Sequence, residues 1–367
     1  MRFIITGGGT GGHIYPALSI AEGLKKEFDN PEILYIGTRS GLEKEVVPRA
    51  GYPIEFIQAS GLSRKISFDN LKTLLRTLYG VGQSIVIIKR FKPDLVIGTG
   101  GFVAGPVMLA AILLGKSTLI HEQNAYPGLT NRLISKYVDH IAISFEESKK
   151  YFKGKKITHT GNPIRKEILT RTRNEGYKNL QLDRNKKTLL VFGGSGGAKS
   201  LNQAMLDFYK FIQKNPDFQL IHVTGKRDYK EHLKEIKERG IELSPRIRIE
   251  EYLYQIEDAY AVADLIIGRA GAITLAEITA RGIPAILIPF PYATENHQEH
   301  NARTLEKKGA ARVILDHQLT GDKLAEMVNE IFSTQGLIKR MKEASLKLGR
   351  PDAEERIINI IKEILNK

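Results

Sequence analysis

Short aliphatic runs recur along the chain, separated by longer amphipathic stretches. In the first half they are Arg2 to Thr6, Glu32 to Ile36, Asp94 to Ile97 and Ser117 to Ile120. In the second half they are Thr188 to Phe192, Gln219 to Val223, Asp264 to Ile267 and Ala285 to Ile288. Strands alternating with helical periodicity predict βαβ units and parallel sheets. Both halves open on a strand ending in glycines, Gly7 to Gly12 in one and Gly193 to Gly197 in the other. Each half later has an Asp-Leu-hydrophobic-Ile-Gly strand end, Asp94 to Gly98 and Asp264 to Gly268. The pattern predicts an α/β chain of two Rossmann-like, doubly wound parallel-sheet domains facing a cleft, with ligands beyond the carboxyl ends of the strands.

The turn cluster Gly161-Asn-Pro163 is the expected boundary, which gives domains 1–163 and 164–349. An amphipathic helix, about Ala353 to Leu365, follows Gly349-Arg-Pro351 within the segment 350–367. Its pattern leaves the docking side open, and the first domain is the candidate.

Composition narrows the function. A chain of 367 residues that is 42% hydrophobic can bury two cores. There is no cysteine, so disulfides and thiolate metal sites are excluded, in keeping with a reducing cytosol. Met1 to Thr6 leads straight into a strand, and no signal peptide is expected. The longest apolar stretch, Phe102 to Gly115, is interrupted by Pro106 and is well short of the roughly 20 residues that span a bilayer. Membrane contact is therefore expected to be peripheral.

Lys and Arg number 55 against 41 Asp and Glu, and a net charge of +14 favours anionic partners. The charge concentrates where Arg64, Lys65, Lys72, Arg76, Lys89, Arg90 and Lys92 face only Asp69. Leu71, Leu74, Leu75, Leu78 and Tyr79 form a helical stripe beside Lys72 and Arg76. It reads either as a surface for an anionic membrane or as an ordinary core-facing stripe. No aromatic-interleaved basic motif is present, so no nucleic acid partner is expected.

The glycine turns carry the chemistry. Gly7 to Gly12 leads from a strand into the periodic run Ile14 to Leu24, where backbone amides could hold an anion. A dinucleotide site would want an acid at the end of the second strand, but that strand runs into Tyr35-Ile-Gly-Thr-Arg39. His13, at a helix start that favours neutral imidazole, reads as a general base or as a side chain that fixes the turn. Gly193 to Ser200 lacks Walker spacing, although Ser195 could donate to a phosphate.

In Arg269-Ala-Gly-Ala-Ile-Thr-Leu-Ala-Glu277, a strand-to-helix junction could cradle a diphosphate on helix amides and Thr274. Glu277 reads as a ribose-binding carboxylate or as the partner of Thr274 in a capping box. The cluster Glu295 to Asn301 lacks the His-Glu-x-x-His metal pattern, no Asp-x-Asp motif occurs, and no metal is expected. Gln298 and Asn301 suit sugar hydroxyls.

Taken in order, Gly8-Gly-Thr-Gly-Gly-His13, His121-Glu-Gln-Asn124, Gly161-Asn-Pro-Ile-Arg165, Gly193-Gly-Ser195, Gly271-Ala-Ile-Thr274 with Glu277, and His297-Gln298 with Asn301 resemble one family. It is the MurG family, the lipid II-forming N-acetylglucosaminyltransferases of bacterial peptidoglycan synthesis. The resemblance runs from residue 1 to the C-terminal helix and implies a GT-B fold. It also implies inverting transfer of GlcNAc from UDP-GlcNAc to the C4 hydroxyl of undecaprenyl-diphospho-MurNAc-pentapeptide, at the cytoplasmic face of the cell membrane.

For individual residues the resemblance implies Thr10, Gly11, Gly12 and Asn124 at the sugar side, and Arg165 and Ser195 near the diphosphate. Ala272, Ile273, Thr274, Leu275, Ala276 and Glu277 would line phosphates and ribose. Gln298 and Asn301 would bind GlcNAc, and the Leu253 backbone would meet uracil. His13 is the candidate base, with Glu122 behind it. Gly196, Phe102 and Ala270 stand where the family commonly has Gln, Tyr and Ser, so contacts of those side chains do not carry over.

Overall fold

The computed structural model describes residues 1–60, 68–154, 156–194 and 196–366, the side chains of 68–74 excepted. The chain divides into two units, Met1–Ile164 with Pro351–Lys367, and Arg165–Arg350.

In the first unit the strands are β1 (Arg2–Gly7), β2 (Glu32–Gly37), β3 (Ile54–Phe56), β4 (Leu95–Gly100), β5 (Ser117–Glu122), β6 (His140–Ile143) and β7 (Ile157–His159). They form one parallel sheet in the order β3-β2-β1-β4-β5-β6-β7. Side chains alternate across a strand, so β1 feeds two cores. Phe3 and Ile5 pack with the helix Gly11–Glu27, while Ile4 packs with the helices Phe68–Phe91 and Ala104–Leu113.

The terminal helix Ala353–Leu365 belongs to this unit. Its Ile357, Ile358, Ile360, Ile361 and Ile364 join the Phe3 and Ile5 core, and Glu354 pairs with Lys26 at 2.9 Å. Exposed as it is, that ion pair contributes little; the buried isoleucines hold the helix.

In the second unit the strands are β8 (Lys187–Phe192), β9 (Phe218–Val223), β10 (Ile247–Glu250), β11 (Leu265–Gly268), β12 (Ala285–Leu287) and β13 (Ala311–Val313). All pairings are parallel, in the order β10-β9-β8-β11-β12-β13. Each sheet reverses its winding once, between β1 and β4 and between β8 and β11, and a doubly wound sheet places its ligand crevice at that reversal. The glycine turns following β1, β4, β8 and β11 leave the sheets there.

Two of these turns cannot carry a side chain. Gly101 has φ +83°, and a Cβ on it would sit 2.3 Å from the Gly8 carbonyl oxygen. Gly197 has φ +77°, and its Cβ would sit 2.4 Å from the Thr224 carbonyl oxygen. Only glycine fits either place.

Because the terminal helix closes the first core, Ile361→Ala should destabilise that unit by about 2–5 kcal/mol, the usual cost of emptying a buried isoleucine site. Urea unfolding followed by circular dichroism would measure this, and an unchanged midpoint would contradict the packing.

Candidate active site

In the first unit Thr10 is the N-cap of the helix Gly11–Glu27, and its side chain makes no capping bond. The Gly11 and Gly12 amides stand in the first turn, where helical N–H groups lack intrahelical partners. The turn rests on Glu43, a fully buried side chain that pattern reading does not single out. Its carboxylate accepts from Gly9 N at 3.0 Å, Thr38 N at 3.0 Å and Thr38 Oγ1 at 2.7 Å.

His13, third in the helix, sends Nδ1 to the Thr99 carbonyl and to Gln123 Oε1, each at 3.0 Å. A carbonyl can only accept, so Nδ1 carries the hydrogen and Nε2 keeps a lone pair with no partner among the described residues. One nitrogen thus fixes the turn, and the geometry leaves the other uncommitted.

Glu122 is buried to 1% exposure and receives Asn124 N and Nδ2, Gly128 N and Asn131 Nδ2 at 2.9 to 3.2 Å. So many donors on a buried carboxylate make it a brace for the loop after β5. Asn124, half-buried, stands on that loop.

In the second unit the helix Ala272–Arg281 begins at Gly271, which is its N-cap. Thr274 is third in that helix, so the Thr274 and Glu277 capping box does not form. The Ala272, Ile273 and Thr274 amides lie in the first turn without intrahelical partners. Leu275 is buried in the core, and its amide bonds to the Gly271 carbonyl at 3.0 Å. Ala276 is half-buried one residue on.

Glu277 is 7% exposed; Tyr260 OH donates to its Oε2 at 2.8 Å, and Arg165 Nη2 lies 3.8 Å from Oε1. Burial raises the Glu277 carboxyl above the usual carboxylate range, while the Tyr260 hydroxyl and Arg165 oppose the rise.

Arg269 anchors the turn that opens this helix. It pairs with Asp316, donates to Ser200 Oγ at 2.9 Å and reaches the Ile288 and Pro289 carbonyls at 3.2 and 3.3 Å. Gln298 Oε1 receives Ala270 N at 3.2 Å and Phe290 N at 3.0 Å, which leaves its Nε2 without a partner among the described residues.

Asn301 is fully buried and donates to the Ala270 carbonyl at 3.2 Å. It shapes the turn; in this structure it does not present its amide to solvent, as a direct sugar contact requires. Leu253 is half-buried in the loop after β10, flanked by the paired rings of Tyr252 and Tyr254. Ser195 lies outside the described residues.

The basic stripe is described in part. On the helix Phe68–Phe91 the core face is Val81, Ile87 and Ile88. Leu75, Leu78 and Tyr79 are 56 to 59% exposed, and Arg76 is exposed beside them. The side chains of Leu71 and Lys72 lie outside the described residues. Among the described residues no helix is long and apolar enough to cross a membrane, and no group of three His, Asp or Glu side chains is placed to hold a metal.

Sequence reasoning missed Glu43, Thr99, Gln123, Tyr260, Arg269 and Asp316 as parts of these sites. Arg269 and Gln123 had a local signal, Arg269 because it immediately precedes the Ala270-Gly271 junction and Gln123 because it lies within the motif His121 to Asn124.

The raised Glu277 carboxyl has a consequence for stability. A carboxyl whose pKa is higher folded than unfolded favours folding in its neutral form. That contribution is full below the ordinary carboxylate range and is lost as pH rises through the raised value. Glu277→Gln, neutral throughout, should therefore melt a few degrees above the parent protein at pH 7, with the gap closing toward acid pH. Melting curves from pH 4 to 8 would check this, and identical midpoints at pH 7 would refute it.

Comparison with known proteins follows the same division of the chain. The glycosyltransferase family 28 N-terminal domain matches residues 3–143, and the family 28 C-terminal domain matches 188–357. A curated relative from Halothermothrix orenii is 52% identical over 368 residues, covering 99% of each chain. Another, from Desulforamulus reducens, is 50% identical, covering all of this chain and 99% of its own. Both are named UDP-N-acetylglucosamine–N-acetylmuramyl-(pentapeptide) pyrophosphoryl-undecaprenol N-acetylglucosamine transferase. The crystal structure of Acinetobacter baumannii MurG aligns with a TM-score of 0.79 at 27% identity, covering 99% of both chains. With two family 28 domains in order and half of all positions shared end to end, the chain belongs to glycosyltransferase family 28, within the MurG family of N-acetylglucosaminyltransferases, and has the GT-B fold.

Proposed function

We propose that this protein moves GlcNAc from UDP-GlcNAc to the C4 hydroxyl of undecaprenyl-diphospho-MurNAc-pentapeptide, with inversion at the anomeric carbon, turning lipid I into lipid II. The observation that carries the reading is the 52% identity, from end to end, to a relative named for this donor and acceptor.

The residues fit the chemistry that the reaction needs. Departing UDP gains charge, which the orphan amides of Ala272, Ile273 and Thr274 and the Arg165 guanidinium can meet. Ser195 keeps its sequence-based place beside the diphosphate. Glu277 would take the ribose hydroxyls on Oε1, since Tyr260 already engages Oε2. The free Gln298 Nε2 would donate to a hexose hydroxyl, and Asn301 would act through the turn it braces. The Leu253 backbone would meet uracil, while Thr10, Gly11, Gly12 and Asn124 would serve the sugar side.

As the acceptor C4 oxygen bonds to the anomeric carbon, the bond from that carbon to the diphosphate oxygen breaks and UDP leaves. The acceptor proton passes to His13 Nε2. Charge stabilisation in this reading uses helix amides and arginine, with no metal.

Product formation from UDP-GlcNAc and a lipid-linked MurNAc-pentapeptide tests the proposal. UDP-GalNAc should be a poor donor and EDTA without effect; failure with that acceptor would leave another UDP-sugar and lipid acceptor as the reading. His13→Ala should lower kcat by about 10²-fold or more, and a change confined to KM would remove His13 as the base.

A lipid-carried acceptor also calls for peripheral attachment to the cytoplasmic face of the membrane, and the exposed Leu75, Leu78 and Tyr79 beside Arg76 supply a surface for it. The protein should sediment with vesicles containing anionic lipid, and Leu75→Ser should weaken that binding. Sedimentation indifferent to both lipid charge and this substitution would exclude the surface.

A further inference from the structure

Behind His13 stands a chain of buried polar groups that the proposed reaction does not use. Gln123, at 1% exposure, offers Oε1 to His13 Nδ1, and its Nε2 donates to His121 Nδ1 and to the His121 carbonyl, both at 3.0 Å. His121, fully buried, places Nε2 at 3.1 Å from the Gly161 carbonyl and 3.3 Å from Ser144 Oγ. Thr99 Oγ1 donates to the His13 carbonyl at 2.8 Å and so fixes the backbone of the same residue.

Proton positions in this chain are dictated from its ends. The Gly161 carbonyl can only accept, so His121 carries its hydrogen on Nε2 and leaves Nδ1 as an acceptor. The His121 carbonyl likewise fixes the Gln123 amide with nitrogen toward His121 and oxygen toward His13. The Thr99 carbonyl and that oxygen then both require hydrogen on His13 Nδ1. Each assignment agrees with the next, so one arrangement satisfies every group.

We infer that Gln123 and His121 are positioning residues that hold His13 in its Nδ1–H tautomer and make Nε2 the proton-accepting atom of the transfer reaction. This rests on the reading of His13 as the base. Burial pushes His121 down to about 4, so it stays neutral and its Nδ1 remains an acceptor at working pH. Other titratable groups on the elements around the turn are Glu122, at the end of β5, Glu43, beneath Gly9, and Tyr35, whose hydroxyl donates to the Gly7 carbonyl.

The test is the pH profile of kcat for variants at position 123. Gln123→Glu keeps the acceptor but charges it, which favours imidazolium. The ascending limb of kcat should move toward higher pH by about one unit, with KM for UDP-GlcNAc unchanged. Gln123→Met, similar in size and without the acceptor, should lower kcat about tenfold or more at unchanged KM. His121→Asn, whose side-chain oxygen can accept in place of Nδ1, should retain more activity than His121→Leu.

If His13→Ala abolishes the ascending limb while Gln123→Glu leaves it in place, the relay is overturned and the base reading stands. If His13→Ala keeps the parental kcat, the base reading falls and the relay with it. A Gln123→Met variant that raises KM at unchanged kcat also overturns the relay.

Discussion

Parallel strands in a doubly wound sheet deliver the turns of neighbouring strands into one small volume at the point where winding reverses. In the first unit backbone closes part of that volume directly, and the Thr99, Glu43, Phe102 and His13 side chains line the rest. The Gly101 α-carbon lies against the Gly8 peptide at the first reversal, and between the turns after β8 and β9 Gly197 lies against Gly225 and the Thr224 carbonyl, each at distances that exclude any Cβ. At these two contacts no side chain fits, and the helices Gly11–Glu27 and Ala272–Arg281 start with first-turn amides not spent on side-chain caps. Both the donor and acceptor chemistry proposed above depend on amides kept available in this way.

The two units use this device over opposite supports. Under the first turn lies the Glu43 carboxylate, which takes up the Gly9 amide and places acidic oxygens beneath the loop. Beneath the second lies the Arg269 guanidinium, tied to Asp316 and Ser200. In the proposed reaction electrostatics would divide the work: an anionic diphosphate suits the turn with arginines nearby, and a neutral hydroxyl with its base suits the turn over a carboxylate. Composition could not have told these turns apart, because both read as glycine clusters after a strand.

What the sequence reveals tracks separation along the chain. The eight aliphatic runs emerge as strands, β11 and β12 among them at only four and three residues, whereas β3, β6, β7, β10 and β13, equally short, have no comparable aliphatic run in the sequence reading. Glycine turns and the residues beside them were legible because turn and function adjoin. The groups that hold them come from elsewhere: Glu43 is 34 residues from Gly9, Tyr260 is 17 from Glu277, and Gln123 is 110 from His13. No local pattern links such pairs. Geometry also bears on two of the structural alternatives: Gly271 caps its helix so that no capping box forms, and Leu75, Leu78 and Tyr79 lie off the core face.

Glu277 shows why a binding position can work against the stability of its own domain. Its carboxylate is buried, yet among the described residues only Tyr260 hydrogen-bonds it, and half-exposed Arg165 at 3.8 Å is too distant and too solvated to compensate. On this balance a neutral replacement is expected to favour the fold at neutral pH, which points away from stability as the reason for the carboxylate. An under-satisfied acceptor oxygen beside a helix start gains most when a ligand brings hydroxyl donors to it, since those bonds favour the ionised form that burial penalises. In the proposed complex the ribose would supply those donors, and part of the donor affinity would come from relieving a penalty the empty protein carries.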